Sequence, residues 1–296
     1  KGKSQSVLQI KKYYTFNLEQ IFREKFMKIT VIPDIHQDLT TFNKYKDSDG
    51  IVICLGDYVD NPNAKEWWDT EDHNPINVIK TILDWKKADP EHHIMMLGNR
   101  DDSYLGDDCS VKGHQIQYKD EIKAALEEAR PYMDIIYTCG NFVFSHAGIT
   151  EDFKLRLSRE YKAETKEEFA KNVNQAFQSG KLPYLGHFGI DQSQHKEVDD
   201  NCLWVKPDNL IIMNAYPELI QVVGHTEEPE QLWIQYEGKE AGVIVVDSKS
   251  HAPIVIDTDN FKMHANNERC IVTEKKVQEA KAFFQQQLDT QAAFFF

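Results

Sequence analysis

The chain has 296 residues, with 48 Asp and Glu against 34 Lys and Arg, a net charge of -14 and a pI near 5.2. That balance argues against general nucleic-acid binding, which needs clustered Lys and Arg to hold phosphate backbones. No apolar run reaches the ~20 residues of a membrane span, no basic-then-apolar leader opens the chain, and the five cysteines show no Cys-x-x-Cys spacing, so a cytoplasmic protein without membrane contact, disulfide framework or zinc knuckle is expected.

Residues 1–26 are the most basic piece, with Lys1, Lys3, Lys11, Lys12, Arg23 and Lys25, and Leu18, Ile21, Phe22 and Phe26 recur at the spacing of one amphipathic helix. This stretch is taken as an N-terminal extension, and Met27 stands directly before the first strand signal. From there strand and helix signals alternate, which predicts an α/β chain. Short apolar runs over Ile29–Ile32, Ile51–Leu55, Ile94–Leu97, Phe142–Phe144 and Leu219–Val223 have the pattern of buried strands. Asn74-Pro75 opens a helix that runs to about Ala88 and stops at Asp89-Pro90. A second helix spans Tyr118–Arg130, a strand pair covers Met133–Thr138 and Asn141–Phe144 around Cys139-Gly140, and polar helices fill Glu151–Tyr161 and Lys166–Gln178. The late strands Leu232–Tyr236, Val243–Val246 and Pro253–Ile256, with little helix between them, predict a more antiparallel second sheet. A closing helix follows from Glu274 to about Leu288, then an apolar tail, Phe294-Phe295-Phe296. One domain over 27–265 is expected, with 266–296 as a C-terminal helix and tail.

Each of the five buried-strand signals ends in a chemically loaded turn. These are Pro33-Asp34-Ile35-His36, Gly56-Asp57-Tyr58-Val59-Asp60, Gly98-Asn99-Arg100-Asp101, Ser145-His146-Ala147-Gly148 and Gly224-His225-Thr226. Strand ends on one sheet edge lie near each other, so Asp34, His36, Asp57, Asn99, His146 and His225 are candidates for a single metal centre. Carboxylate, imidazole and one carboxamide without thiolate suit Mn²⁺, Fe or Zn²⁺, and the set is too nitrogen-rich for a dedicated Ca²⁺ site. Six donors exceed the needs of one tetrahedral ion. Two divalent ions sharing a carboxylate would use them all, and such a pair, about 3.5 to 4 Å apart, clamps the attacking and leaving oxygens of a phosphoryl displacement.

The five motifs, in this order, resemble those of calcineurin-like metallophosphoesterases. Gly56 to Asp60 is most similar to the Gly-Asp-Tyr-Val-Asp signature of the serine/threonine phosphoprotein phosphatase branch, and Leu203-Trp204-Val205-Lys206-Pro207 is similar to its Leu-Trp-x-x-Pro. The resemblance covers roughly Met27 to Ile256. It implies a sandwich of two facing β-sheets flanked by helices, with a dinuclear metal site at the strand ends. It also implies that Asp34, His36 and Asp57 hold one ion, that Asp57, Asn99, His146 and His225 hold the other, and that a hydroxide bridging the metals attacks a phosphate ester, in a phosphorylated protein or a small molecule.

Two departures from the family pattern are informative. Arg100 stands where most relatives have a histidine that protonates the leaving oxygen, oriented by the aspartate at the position of Asp60, and Asn61 stands where the phosphatase branch has an arginine. Arginine stays charged at any working pH and cannot deliver that proton. Arg100 is therefore expected to bind phosphate oxygens, oriented by Asp60, while His114 is the first candidate for a replacement acid. The loss of the usual acid also keeps open a phosphodiesterase or nucleotide hydrolase, and a metal-binding scaffold without turnover. Glu227 takes the place of a second histidine that many relatives carry after Gly-His.

Overall fold

The computed structural model describes residues 28–61, 73–106, 111, 113–183, 185, 190–191, 196–197, 201–258, 268–273, 275–279 and 281–282. The chain begins with β1 (Lys28–Ile32), α1 (Leu39–Tyr45), β2 (Ile51–Cys54), α2 (Pro75–Ala88), β3 (His93–Met96), α3 (Asn99–Leu105), α4 (Lys119–Ala129), β4 (Met133–Asp134), β5 (Tyr137–Cys139) and β6 (Phe142–Phe144). It continues with α5 (Glu151–Ser158), α6 (Lys166–Gln178), β7 (Ile190–Asp191), β8 (Lys196–Glu197), α7 (Pro207–Met213), β9 (Ile220–Val223), β10 (Leu232–Tyr236), β11 (Gly242–Val245), β12 (Ile254–Asp257) and β13 (Glu268–Val272).

Two mixed sheets face each other. The first has the order β12-β1-β2-β3-β4 and is parallel except at β12; the second has the order β13-β10-β11-β9-β6-β5. Side chains alternate across each strand, so every strand feeds two layers. Ile29, Val31, Ile51, Ile53, Ile94 and Met96 point between the sheets, against Phe142, Phe144, Ile220, Val222 and Ile244. Val52, Cys54 and Met95 point the other way, under Val78, Ile82, Leu126 and Phe177 of α2, α4 and α6. On the far face, Val223, Val243 and Val245 pack under Leu210 and Ile211 of α7. This is the two-sheet sandwich flanked by helices that the resemblance implies.

Local chemistry sets the helix ends. The Asn74 side chain accepts from the Ile76 and Asn77 N–H groups with Pro75 in the first turn, and Thr165 and Thr150 cap α6 and α5 by accepting from Glu168 N and Phe153 N.

Several expectations need correction. The run Met133–Thr138 is not one strand: Met133–Asp134 pairs with β3 in the first sheet, whereas Tyr137–Cys139 forms a hairpin with β6 in the second. Asn174 makes the switch possible, because its side chain takes over the Ile135 and Ile136 N–H groups and donates to the Ile136 carbonyl. The second sheet is mixed, not mainly antiparallel, since β6–β9, β9–β11 and β10–β13 are parallel pairs. β12 lies beside β1 in the first sheet. Helices α1, α3 and α7 had no counterpart in the sequence reading. The N-terminal helix, Met27, Trp67-Trp68, Asp107-Asp108, His187, His195, Asp199-Asp200 and the Phe294–Phe296 tail lie outside the described residues, as does much of the Glu274–Leu288 segment, of which 275–279 and 281–282 are helical.

Candidate metal centre

The turns after β1, β2, β3, β6 and β9 meet at one end of the sandwich. There Asp34, Asp57 and His146, all buried, bring donor atoms within 4.8 Å of one another. Around them, His36 Nε2 lies 3.9 Å from Asp34 Oδ2, His146 Nε2 lies 3.7 Å from Asp57 Oδ1, and Asn99 Oδ1 lies 2.8 Å from His146 Nε2 and 3.2 Å from His225 Nδ1. All six candidate donors therefore belong to one cluster. Its tight core is Asp34, Asp57 and His146, with Asn99 against His146 and the other two histidines flanking it.

The chain distorts itself to assemble this cluster. His36, Asp57, Asp60 and His225 hold left-handed backbone at φ 46°, 52°, 54° and 64°, conformations that cost on the order of 1 to 3 kcal/mol each. Hydrogen bonds hold them there: His36 N donates to the Asp57 carbonyl at 2.7 Å, and His225 N donates to Asp34 Oδ2 at 3.1 Å. The fully buried Asp101 carboxylate accepts from the N–H groups of Gly98, Asp57 and Tyr58, tying the β2 and β3 turns together. The sequence reading did not single out Asp101; its only signal was its place inside the Gly-Asn motif. Gly224 and Gly98 leave no room for a side chain, because a Cβ would press on Asp34 Oδ1 and on the Asp57 backbone nitrogen respectively.

Each histidine anchors to backbone. His36 Nδ1 lies 2.8 Å from the Asp60 carbonyl and His146 Nδ1 lies 2.9 Å from the Leu55 carbonyl, which leaves both Nε2 lone pairs for the centre. His225 bonds the Trp204 backbone, and Trp204 stands edge-on to its ring at 5.7 Å between centroids. Such outer hydrogen bonds fix tautomer and orientation in metal-binding histidines.

Charge at the centre is unbalanced. Burial first, then the neighbouring Asp57, pushes the Asp34 carboxyl well above its ordinary range. For Asp57 burial acts upward too, but His146, His36 and Arg100 together outweigh it and hold the carboxyl down. Burial, with Asp57 adding, raises Asp101 to about 8, and burial raises Asp60 to about 6. His225 is pushed down to about 3 by burial and by His146, so its ring is neutral at working pH.

These residues fit divalent cations. The Asn99 amide oxygen faces imidazole nitrogens and the Asp57 carboxylate, all electron-pair donors, and only turning the amide over would let an NH₂ group satisfy them without a cation. Imidazole nitrogens, the Asp57 carboxylate and a carboxamide oxygen converging in one buried place form the donor set of a metal centre.

Arg100 sits over this cluster with its side chain 15% exposed. Its N–H donates to Asp57 Oδ1 at 2.9 Å, Nε lies 3.5 Å from Asp57 Oδ2, and Nη1 lies 3.8 Å from Asp60 Oδ2. The Tyr104 hydroxyl donates to Asp60 Oδ1 at 2.7 Å. His114 stacks on Tyr104 at 3.7 Å between ring centroids, behind Asp60. A cavity of about 460 Å³ opens over the cluster, lined by Asp34, His36, Asn61, Arg100, His225 and Asp247 among others; His114 is not in its wall. Among the described residues no helix is long and apolar enough to cross a membrane.

The family model described as calcineurin-like phosphoesterase matches residues 27–229. No curated protein matches. Among solved structures, a 1.1 Å structure of a cold-active protein-tyrosine phosphatase is similar at a TM-score of 0.51 and 15% identity over 79% of this chain and 75% of that one. The cold-active protein-tyrosine phosphatase of a psychrophilic Shewanella species gives 0.50 and 15% over 79% and 76%, and a metallophosphoesterase from Sphaerobacter thermophilus gives 0.37 and 12% over 79% and 84%. At these identities the first two show likeness of fold alone.

Proposed function

The chain belongs to the calcineurin-like phosphoesterase family, metal-dependent hydrolases of phosphate esters, and on that premise we propose that it binds two divalent ions and hydrolyses phosphomonoesters as phosphoprotein phosphatases do. Residues 27–265 would form the catalytic unit. The observation that carries this reading is the convergence of Asp34, His36, Asp57, Asn99, His146 and His225, with each imidazole anchored through backbone. In this reading Asp34, His36 and Asp57 hold one ion, and Asp57, Asn99, His146 and His225 hold the other. Mn²⁺ is the proposed metal, with Fe or Zn²⁺ as alternatives. When bound, such a pair supplies a nucleophilic oxygen at neutral pH and draws charge from the phosphate.

The chain's own contribution is orientation and charge. Arg100 is the one guanidinium in the cavity wall among the described residues, beside Asp57, and a planar guanidinium suits two phosphate oxygens at once. Asp60 is the positioning residue behind it, held by Tyr104 and facing Arg100 Nη1 at 3.8 Å. Arg100 would stabilise charge as it develops on the phosphate and gives no proton to the leaving group. A positioned acid typically contributes ~10² to 10⁴ in rate, so esters with poor leaving groups should be slow.

That same feature supports a second reading, a phosphodiesterase or nucleotide hydrolase acting on better leaving groups. Hydrolysis of p-nitrophenyl phosphate against bis-p-nitrophenyl phosphate in Mn²⁺, with Asp57→Asn as the blank, separates the two. The phosphatase reading expects faster monoester turnover; faster diester turnover would replace it with the second. Silence on both with metal bound would leave a scaffold.

A further inference from the structure

The loop after β11 brings a further carboxylate to the centre. β11 runs parallel to β9 with Val245 opposite Val223, and Val246 N donates to the Val223 carbonyl at 2.8 Å. The pairing therefore carries Asp247 to the level of His225, just as β9 carries His225 to the cavity. Asp247 is 3% exposed and lines the cavity with Asp34 and His225. Its Oδ1 is buried without a hydrogen-bond partner. After burial, the groups that act on it most are Asp34, Glu227, His146 and Asp57.

A carboxylate so placed is costly unless a positive charge faces it. Asp34 and Asp57 add like charge, and His146 hydrogen-bonds the Leu55 carbonyl and turns its other nitrogen to the centre. Glu227 is exposed to solvent, whereas Asp247 is buried. Resting on the two-ion reading above, we infer that Asp247 is a positioning residue of the metal centre, holding the ion on the Asp34 side through that ion's water. It lies outside the close donor group of Asp34, Asp57 and His146, which is why its action runs through water. It also lies beyond residues 27–229, the segment that the family model matches. With it, the Asp34 side becomes rich in oxygen, the chemistry that favours Mn²⁺ over Zn²⁺.

The test compares wild type, Asp247→Asn and Asp57→Asn by calorimetric Mn²⁺ titration, metal content after dialysis, and melting temperature with and without Mn²⁺. Asp247→Asn should bind one of two Mn²⁺ ions about 10- to 100-fold more weakly, with a smaller Mn²⁺-induced rise in melting temperature. Its metal-free melting temperature should stay at or above that of wild type, since Oδ1 has no hydrogen-bond partner to lose. Folded Asp247→Asn with wild-type Mn²⁺ affinity overturns the inference. If the Asn variant does not fold, Asp247→Ser takes the same titration and the same criteria. Loss of Mn²⁺ in Asp57→Asn but not at position 247 sinks this inference alone. Unchanged binding in both sinks the two-ion reading and this inference with it.

Discussion

Arg100 is the residue on which the proposed chemistry turns. A histidine there could carry a proton to the leaving oxygen, whereas a guanidinium can only hold and polarise the phosphate. Its backbone already donates to Asp57 Oδ1 and its Nε lies 3.5 Å from Asp57 Oδ2, so the side chain stands over the candidate centre. A charge-assisted hydrogen bond is worth roughly 1.5 to 3 kcal/mol, so Arg100→Ala should weaken competitive inhibition by inorganic phosphate by about tenfold or more. An unchanged inhibition constant in the folded variant would mean that Arg100 serves the loop and not the substrate. Position 100 and the six candidate donors were legible in the sequence because each ends an apolar strand at a Gly, Pro or Ser. Asp101 and Asp247 were not. Asp101 works by accepting three backbone N–H groups from two turns, and Asp247 gains meaning only from the β9–β11 register; neither relation has a sequence period.

At the scale of elements, apolar patterning located the strands and the long helices because those elements bury one stripe or face. It failed at α1 and α3 for a physical reason. α1 buries only Phe42, and α3 buries a consecutive run from Asp101 to Leu105 in which only Tyr104 and Leu105 are apolar, so neither shows an apolar stripe at helical spacing. It also could not foresee that Met133–Thr138 divides between sheets, because that division depends on Asn174 reaching from α6. The same helix grips the end of β4, where Gln178 donates to Asp134 Oδ1 at 3.0 Å. Burial raises the Asp134 carboxyl to about 6, against the pull of Lys86 and Gln178. Below about pH 4 the group is neutral in folded and unfolded chains alike; as pH rises toward 6 the unfolded chain releases the proton first, so this contribution to stability is lost through that window. Thermal melts of Asp134→Asn between pH 4 and 7 should therefore fall less steeply than wild type. The difference is on the order of 1 to 2 kcal/mol across the window, discounted because Asp134 is only half-buried. Parallel slopes would show that the group does not titrate there.

At the scale of the molecule, the sandwich exists to bring strand ends from two sheets to one place. β1, β2 and β3 deliver Asp34, His36, Asp57 and Asn99 from the first sheet; β6 and β9 deliver His146 and His225 from the second. The left-handed residues and the close approaches at Gly98 and Gly224 are held by hydrogen bonds between the turns, and the acid crowded at the centre would be balanced by bound cations. Stability and activity should thus depend on the same ions. The most direct measurement of this dependence is release of p-nitrophenol, from whichever of the two nitrophenyl esters turns over faster, before chelation, after chelation and dialysis, and after Mn²⁺ is restored. Metal-dependent hydrolysis predicts a fall to the level of the Asp57→Asn blank and recovery with Mn²⁺. Turnover that persists undiminished in protein shown to contain no metal would contradict it.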